Sequence, residues 1–453
     1  MKEEAMKLHF YPFAGLLRAF MILVFFASNA GLIKAVPSYA RQTGMACIAC
    51  HTSFPELNAF GRQFKLNGYT LTTQKNIEAA NDSGRVRLSL SPFAPLSGMV
   101  MTSFTHLNKT LPATQNNNIE FPQQLSLFYA GQITPHIGTF IQLTYDAQGG
   151  AIGLDNTDIR YSNHAQLGSK DWIYGFTLNN NPSVQDVWNT VPAWSYPYSS
   201  TGVGPHPMAA TLVEGGLAGE VAGLGTYGLF NNLVYYEFSL YRSAPQGAVN
   251  PPDSTSSNTI KGMTPYWRLA LEHQFGSSYL MLGTFGLSSQ LYPTAPSGLY
   301  DKYTDLGIDL QYELALPKAN ISLHSSLVQE SRTLNSTFAS GGAANASSKL
   351  SSFKIDGNLY LQRGIGFTLG YFGIKGDADG GLYAPADING SINGKPDSNG
   401  LLAEISFLPW YNTKFSLQYV KYSKFNGGSD NYDGSGRNAA DNNNLYVLLW
   451  ISF

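Results

Sequence analysis

The sequence predicts an all-β protein: a transmembrane antiparallel β-barrel of about sixteen strands that follows a short helical N-terminal segment. Three observations predict the barrel. From about residue 97 onward, runs of roughly ten to fourteen residues alternate between apolar and polar or very small side chains. The connections between these runs alternate between long and short. The last run ends the chain on Phe453, as the final strands of bacterial outer-membrane proteins do.

The composition fits a chain with one apolar face. Charged residues make up 13% of the 453 residues, about half of the share usual in soluble proteins. The mean hydropathy of −0.13 excludes a polytopic helical membrane protein. The formal net charge of −2 gives no indication of nucleic-acid binding, and no nucleic acid is expected as a partner.

Residues 1–35 are predicted to be a secretory signal peptide, with cleavage between 30 and 40. Basic residues such as Lys2 and Arg18 precede an apolar run at 20–27, and small residues follow it. That run is too short to span a bilayer as a helix. An uncleaved anchor helix is the alternative, and export is expected in either case.

Residues 36–75 hold both cysteines of the chain, in the stretch CIACH at 47–51. This CxxCH spacing is the attachment pattern of c-type haem. Two thiols at this spacing reach the two vinyl groups on one edge of the porphyrin, and the adjacent histidine supplies a nitrogen ligand to the iron. We therefore expect one covalent haem c, bound by Cys47, Cys50 and His51, with His51 as the proximal iron ligand.

Three other uses of the motif are weighed against haem. A redox-active CxxC needs a βαβ context, and the sequence around residue 47 shows none. A zinc site needs further Cys or His ligands nearby, and none follows before His106. A disulfide across two intervening residues closes too small a loop to stabilise the chain appreciably. Haem attachment is the interpretation that the sequence favours.

The residues after the motif predict a short helix that packs on the haem. Ser53 to Glu56 resembles a helix start, and Asn67-Gly68 is a stop signal. No Met or His follows His51 before Met99, so the segment supplies no obvious sixth ligand. The distal site is expected to be open, held by another atom, or filled from the rest of the chain. The candidates are Met99 or Met101, His164, Met281 and His324.

Residues 76–96 are expected to be a linker and 97–453 the barrel. Alternation is clear at 303–314, where apolar side chains such as Leu306 share one face and acids such as Asp305 share the other. An even strand count places both barrel ends on the tight-turn, periplasmic side. The predicted strands are 97–107, 119–132, 136–147, 156–167, 170–179, 211–221, 232–242, 264–275, 278–288, 303–314, 317–328, 349–362, 364–374, 399–408, 411–423 and 444–453.

The inward face of the barrel is predicted to be polar and biased toward acids. Sixteen strands leave an aqueous lumen unless something fills it. Two interpretations stay open: a path that attracts cations, or an ordinary polar lumen whose acids pair with bases. The predicted inward acids are Glu120, Glu237, Glu272, Asp305, Asp309, Glu313, Asp356 and Glu404, and the bases are Arg160, Arg268 and Lys354.

Two segments resemble a known family. Residues 36–71, VPSYARQTGMACIACHTSFPELNAFGRQFKLNGYTL, strongly resemble the N-terminus of the outer-membrane monohaem cytochrome c–porin fusions of iron-oxidising bacteria. The loop NNNPSVQDVWNTVPAWSYPY at 179–198 is also similar to theirs. The haem residues of the family correspond to Cys47, Cys50 and His51. The resemblance implies a small cytochrome at or in the barrel, which carries electrons from extracellular Fe(II) to periplasmic carriers.

The expected function is therefore an outer-membrane electron conduit, an Fe(II):cytochrome c oxidoreductase. Its expected partners are extracellular Fe(II), a periplasmic c-type cytochrome or other carrier, and outer-membrane lipid. The haem segment is expected on the periplasmic side or within the barrel lumen. Related fusions occur in organisms not known to oxidise iron, so a different extracellular donor or acceptor is an alternative. A solute porin with a haem-bearing plug is another.

Overall fold

The structure, a computed structural model, describes residues 38–72, 74, 76–81, 83–84, 86–147, 149–244, 251–362 and 364–453. The predicted signal peptide at 1–35 lies outside the described residues. None of the described helices is long and apolar enough to cross a membrane. The helices are α1 (Ser38–Thr43), α2 (Ala59–Leu66) and α3 (Asn335–Ala339), with 3-10 turns at Cys47–Ala49 and Ala439–Asn442 and a π-helical turn at Leu212–Gly216.

Most of the chain forms a closed antiparallel barrel of sixteen long strands, to which one two-residue strand, Thr259–Ile260, is added. The barrel closes because the last strand pairs with the first, with Ser452 opposite Met99. The predicted all-β barrel of about sixteen strands is thereby confirmed. The strands are β1 (Leu96–Leu107), β2 (Asn118–Thr134), β3 (Ile137–Asp146), β4 (Ala151–Leu167), β5 (Lys170–Asn179), β6 (Val221–Phe230), β7 (Val234–Ser243), β8 (Thr264–Phe275), β9 (Ser278–Tyr292), β10 (Asp301–Leu316), β11 (Ala319–Thr333), β12 (Ser347–Leu361), β13 (Ile365–Gly376), β14 (Ser398–Trp410), β15 (Thr413–Lys424) and β16 (Asn444–Ser452).

The two faces of the barrel wall differ in polarity, because successive residues of a strand point to opposite faces. In β10, Leu306 is 54% exposed on the outer face whereas Asp305 is 2% exposed on the inner one. The outer face carries exposed apolar side chains along its strands, among them Phe121 and Leu369. Apolar residues outside and polar residues inside, with tight turns at one rim, are the architecture of an outer-membrane porin.

The sixth strand lies elsewhere than predicted. A strand at 211–221 is wrong, because β6 is Val221–Phe230 and the preceding residues belong to the long connection from β5. Glycine-rich strands give a weak sequence signal. Here the glycines make room for a neighbour, since a Cβ on Gly223 would lie 2.3 Å from the ring of Tyr241. Packing against the inward-facing tyrosine therefore decides where this strand forms.

The segment expected to be a linker, 76–96, contains two short strands. Ile77–Ala80 and Val86–Leu90 pair as an antiparallel hairpin outside the barrel sheet. The chain then enters β1 at Leu96.

Candidate cofactor site in the barrel lumen

Residues 38–72, here called the N-terminal insert, lie inside the barrel. At its start, the Tyr39 hydroxyl donates to the carbonyl oxygen of Thr139 at 2.7 Å. Gln42 Nε2 donates to the carbonyl oxygen of Ala130 at 2.9 Å. Both acceptors are on barrel strands, so α1 is held against β2 and β3 near the tight-turn rim. The sequence left open whether this segment fills the lumen or lies beneath the barrel, and in the structure residues of the segment contact the barrel strands.

Helix α2 carries the insert across the lumen. Arg62 forms a buried ion pair with Glu313 of β10. Lys65 Nζ donates to the carbonyl oxygens of Val184 at 2.6 Å and Asp186 at 3.0 Å. Burial, and then the positive charge of a nearby arginine, lowers the pKa of Lys65 to about 8. Charged groups of α2 therefore connect the insert both to the wall and to a second lumen element.

That second element is the connection between β5 and β6, residues 180–220, here called the lumen loop. It folds into the barrel, and Val184, Trp188 and Val191 are each 1% exposed. Trp188 Nε1 donates to the Tyr279 hydroxyl at 2.6 Å. A loop that buries this much of itself blocks part of the lumen. It includes all but the first residue of the 179–198 stretch already noted for its family resemblance.

Cys47, Cys50 and His51 all line one cavity between the N-terminal insert, the lumen loop and the barrel wall. Its empty volume is about 1560 Å³, part of it open to solvent. Most of its walls are apolar or aromatic, with contributions from Phe60, Phe64, Phe128, Phe140, Trp194 and Trp450.

The His51 imidazole is arranged to bind a metal through one nitrogen. Its Nδ1 lies 2.9 Å from the carbonyl oxygen of Pro55, an acceptor that places the proton on Nδ1. The other nitrogen, Nε2, is then unprotonated, as a metal ligand requires. Burial lowers the pKa of His51, which keeps the ring neutral. The sequence-predicted proximal ligand thus has the hydrogen bond that such a ligand needs.

Both cysteines are free thiols and half-buried. Burial raises the pKa of Cys47, and burial together with the neighbouring Cys47 raises the pKa of Cys50 to about 11. Redox-active CxxC motifs instead have a thiol whose pKa is lowered. The microenvironment therefore argues against the redox-active alternative. Across the part of the chain that the structure describes, no three or more His, Cys, Asp or Glu side chains come together to hold a metal ion.

The predicted helix is present, but it begins later than the sequence indicated. The start expected near 53–56 is wrong, because the chain forms a short β-turn there and α2 begins after Asn58. The Asn58 side chain accepts from the backbone N–H of Gly61 at 3.0 Å and caps the helix. The predicted stop is correct, since the helix ends before Gly68, whose φ is +68°.

Two buried polar atoms at the cavity have no protein partner among the described residues. They are Trp450 Nε1 and Gln142 Oε1, and both residues line the cavity. An unsatisfied buried polar group costs about 1–3 kcal/mol. A porphyrin presents an apolar macrocycle and polar propionates, which matches an apolar cavity with an unpaired N–H donor. The residues present therefore fit a haem.

The candidate distal ligands lie in different places. Met99 and Met101 of β1 line the cavity, whereas the other three are absent from its lining. Met281 is fully buried against Trp188 and its neighbours. His324 Nδ1 lies 2.9 Å from an Asp356 carboxylate oxygen. His164 is at the tight-turn rim, where its Nε2 lies 3.0 Å from Asn67 Oδ1. The structure brings only the β1 methionines, of these candidates, to the motif.

The predicted inward acids and bases do face the lumen, and several of them form ion pairs. This favours the interpretation of a polar lumen whose acids are matched by bases, at least at these positions. Two partners come from outside the barrel wall, Arg62 from the N-terminal insert and Glu214 from the lumen loop. Others lie on the same or the neighbouring strand, as Asp158 does beside Arg160. The pairs are Glu313 with Arg62, Asp309 with Arg268, Asp158 with Arg160, Asp356 with His324, Glu404 with Lys414 and Glu214 with Lys354.

A second cavity, here called the vestibule, lies in the lumen toward the long loops, with an empty volume of about 1160 Å³. Tyr196 lines the vestibule and Tyr198 lines the cysteine cavity. Their ring centroids are 5.5 Å apart and nearly perpendicular. The two rings therefore separate the cavities by a short aromatic contact. Sequence reasoning missed this contact, and also the roles of Lys65 and Trp450, because none of them belongs to a motif.

Comparison with known proteins gives distant similarity to porins. No protein-family model matches the chain, and no curated protein is similar to it in sequence. Among solved structures, the chain is similar to an anion-selective porin from Comamonas acidovorans, with 13% identity and a TM-score of 0.47 over 79% of this chain and 98% of that one. It is also similar to Salmonella typhi OmpF in complex with daunomycin, with 14% identity and a TM-score of 0.47 over 83% and 100%. A third similar structure is the outer-membrane channel DcaP of Acinetobacter baumannii, with 12% identity and a TM-score of 0.45 over 79% of this chain and 96% of that one. Similarity this distant carries no argument about function.

Proposed function

We propose that this protein is an outer-membrane electron conduit of the monohaem cytochrome c–porin type, which takes electrons from extracellular Fe(II) and delivers them to a periplasmic carrier. One observation carries the proposal. Cys47, Cys50 and His51 line a single apolar cavity within the lumen, and His51 Nδ1 is held by Pro55 so that Nε2 is free for iron.

In this proposal the cofactor is one haem c, attached through Cys47 and Cys50. Haem iron supplies reversible one-electron chemistry when it is bound. The protein's own part is to position and shield. His51 presents its unprotonated nitrogen, Trp450 offers an unpaired N–H, and aromatic side chains line much of the cavity wall. Exclusion of water and the choice of axial ligands are the means by which a protein sets a haem potential.

The proposed direction of transfer uses the two ends of the barrel. The vestibule lies toward the long loops, which face outside in an outer-membrane barrel, and the N-terminal insert lies toward the periplasmic turns. One Fe(II) is oxidised to Fe(III) outside, and one electron is delivered to the periplasmic carrier. Since Fe(III) precipitates near neutral pH, a conduit that moves electrons rather than iron keeps the mineral outside the cell.

A solute porin with a haem-bearing plug is the second candidate, and the vestibule supports it as a water-filled space inside a barrel. Against it, Trp188, Arg160 and Arg268 are all below 2% exposed and fill the lumen between β4 and β10. If the protein is a solute porin, solutes therefore need a route along the opposite side of the lumen, past the N-terminal insert. Transfer with another extracellular donor or acceptor uses the same site and differs only in the substrate.

Stopped-flow spectroscopy of the purified haem-loaded protein tests the proposal. Fe(II) is expected to reduce the haem of the wild type rapidly, and His51→Ala is expected to lose most of that rate because the iron loses its proximal ligand. If Fe(II) leaves the wild-type haem oxidised at every pH tried, iron oxidation is refuted. Reduction by periplasmic donors alone then indicates transfer to an external acceptor. Unchanged solute flux in His51→Ala, with no redox activity in the wild type, indicates the porin.

A further inference from the structure

We propose that Met99, on the first barrel strand, supplies the distal axial ligand of the haem iron, so that the barrel wall completes a site begun by the N-terminal insert. The inference rests on the proposed function. It assigns a residue that the motif does not contain, and it predicts a sulfur ligand opposite His51.

The proposal starts from the three methionines that line the cavity, Met45, Met99 and Met101. Met45 precedes Cys47 by two residues, so its chain is fixed to the edge of the porphyrin where the cysteines attach. Met99 and Met101 belong instead to the barrel wall, on another side of the cavity from the insert. A wall residue is not tied to the attachment cysteines in this way, so it would be able to reach a haem iron held by His51 from the barrel side.

The surroundings of the two wall methionines differ. Met99 stands opposite Ser126 on β2 and Ser452 on β16, and Ser97 precedes it on the same face. These small neighbours leave the flexible thioether room to extend into the cavity. Met99 is 4% exposed, so its sulfur is shielded from bulk water.

Met101 is more crowded. It stands opposite Gln124 on β2 and Trp450 on β16. Both methionines belong to one buried cluster with Tyr446, Leu448 and Trp450. Within it, Met101 is the one that stands directly opposite the large ring of Trp450, whereas Met99 stands opposite serines. A methionine used for packing is a good control for one used as a ligand, because both have the same chemistry on the same strand face.

The two histidine candidates for the distal ligand already contact other side chains. His324 sits between two carboxylates, with Asp356 at 2.9 Å and Glu56 at 3.8 Å. His164 contacts Asn67 and lies 3.6 Å from Asp171 at the rim. Neither lines the cavity, so a histidine distal ligand would require both the side chain and its partners to move.

A thioether ligand has a functional consequence. Methionine is a neutral, soft ligand that favours ferrous iron, and His–Met ligation raises the potential of c-type haem. A raised potential suits a site that accepts electrons from a weak reductant. Because Met99 belongs to β1, six-coordinate haem also requires the insert to be docked in the barrel.

The test compares Met99→Leu with Met101→Leu in the full-length haem-loaded protein in detergent. Three properties are measured: covalent haem by in-gel peroxidase staining, the near-infrared sulfur-to-iron charge-transfer band of the ferric form, and the midpoint potential. The wild type and Met101→Leu are expected to show the band. Met99→Leu is expected to keep its covalent haem, to lose the band and to have a lower potential. Met99→His is expected to restore a low-spin spectrum without the band.

The outcomes separate this inference from the proposed function. Suppose that haem is attached and reduced by Fe(II), but that the band persists in Met99→Leu or is lost in Met101→Leu. The assignment of Met99 as the ligand is then wrong, while the proposed electron conduit is retained. Absence of the band from a wild type that holds covalent haem also overturns it. Absence of covalent haem from the wild type overturns the inference and the proposed function together.

Discussion

The docking of the N-terminal insert should depend on the ion pair between Arg62 and Glu313. The Arg62 side chain is 3% exposed and that of Glu313 is 18% exposed. Arg62 Nη1 also donates to the carbonyl oxygen of Leu57 at 3.0 Å, and the guanidinium carbon lies 4.2 Å from the ring centre of Tyr279. We predict that Arg62→Ala releases the insert from the lumen in a large fraction of molecules.

The magnitude follows from what the substitution leaves behind. Removing one partner of a buried ion pair costs about 3–5 kcal/mol, because the other charge stays buried without compensation. Glu313 keeps some access to water, so the lower end of that range applies. Loss of the cation–π contact with Tyr279 adds about 1 kcal/mol. A total of about 3–4 kcal/mol weakens docking by two to three orders of magnitude.

The assay is limited proteolysis or hydrogen exchange of residues 38–72 in the detergent-solubilised barrel. Lys109→Ala is the matched control, since its ion pair with Asp441 leaves Lys109 51% exposed and is worth only about 0–1 kcal/mol. Protection of the insert in Arg62→Ala equal to that in Lys109→Ala would refute the reasoning. A double-mutant cycle with Glu313→Gln isolates the pair from the contact with Tyr279.

Three further predictions concern the same elements. Gly61→Ala should lower the fraction of chains with covalent haem, measured by in-gel peroxidase staining, because its Cβ would lie 2.1 Å from the Cys50 carbonyl oxygen. The control Gly380→Ala, whose Cβ would have nothing within 4 Å, should match the wild type in the same gel. The titration of Lys65 should leave the docking of the insert independent of pH below about 8 and should strengthen docking as pH rises from about 8 toward 10.5, because the docked lysine loses its proton before the undocked one. Hydrogen exchange across this range should show the slope in the wild type and not in Lys65→Met. Trp188→Ala should raise single-channel conductance in planar bilayers, because this buried ring fills the lumen loop; unchanged conductance would place the ion route elsewhere.

The barrel could be predicted from sequence because its determinants are local. Period-two alternation and turn residues are set within each strand, and fifteen of the sixteen predicted strands coincide with their structural counterparts over most of their length, as 303–314 does with Asp301–Leu316. The exception, 211–221, fails for a non-local reason. The glycines of β6 accommodate Tyr241 from the next strand, a contact that no window of the sequence reveals.

The CxxCH motif could be recognised in the sequence, whereas the residues that surround it in the fold could not. The CxxCH spacing predicts haem attachment by Cys47, Cys50 and His51, and this stays a prediction. The cavity around them is assembled from strands β1–β3 and β16 and from the lumen loop, up to about four hundred residues apart. The sequence left five distal-ligand candidates, and only the geometry of the lumen separates Met99 and Met101 from the rest.

The location of the insert explains why so small a segment is joined to so large a barrel. Residues 38–72 contain two short helices and cannot enclose a porphyrin. The barrel provides the missing walls, and at the docked position the buried charges of Arg62 and Lys65 have partners on the barrel wall and the lumen loop. Buried ion pairs contribute little net stability but strongly penalise a wrong register. We therefore infer that these charges select one docked position of the insert, and that this position is the one in which His51 of the insert and Met99 of the wall share a cavity.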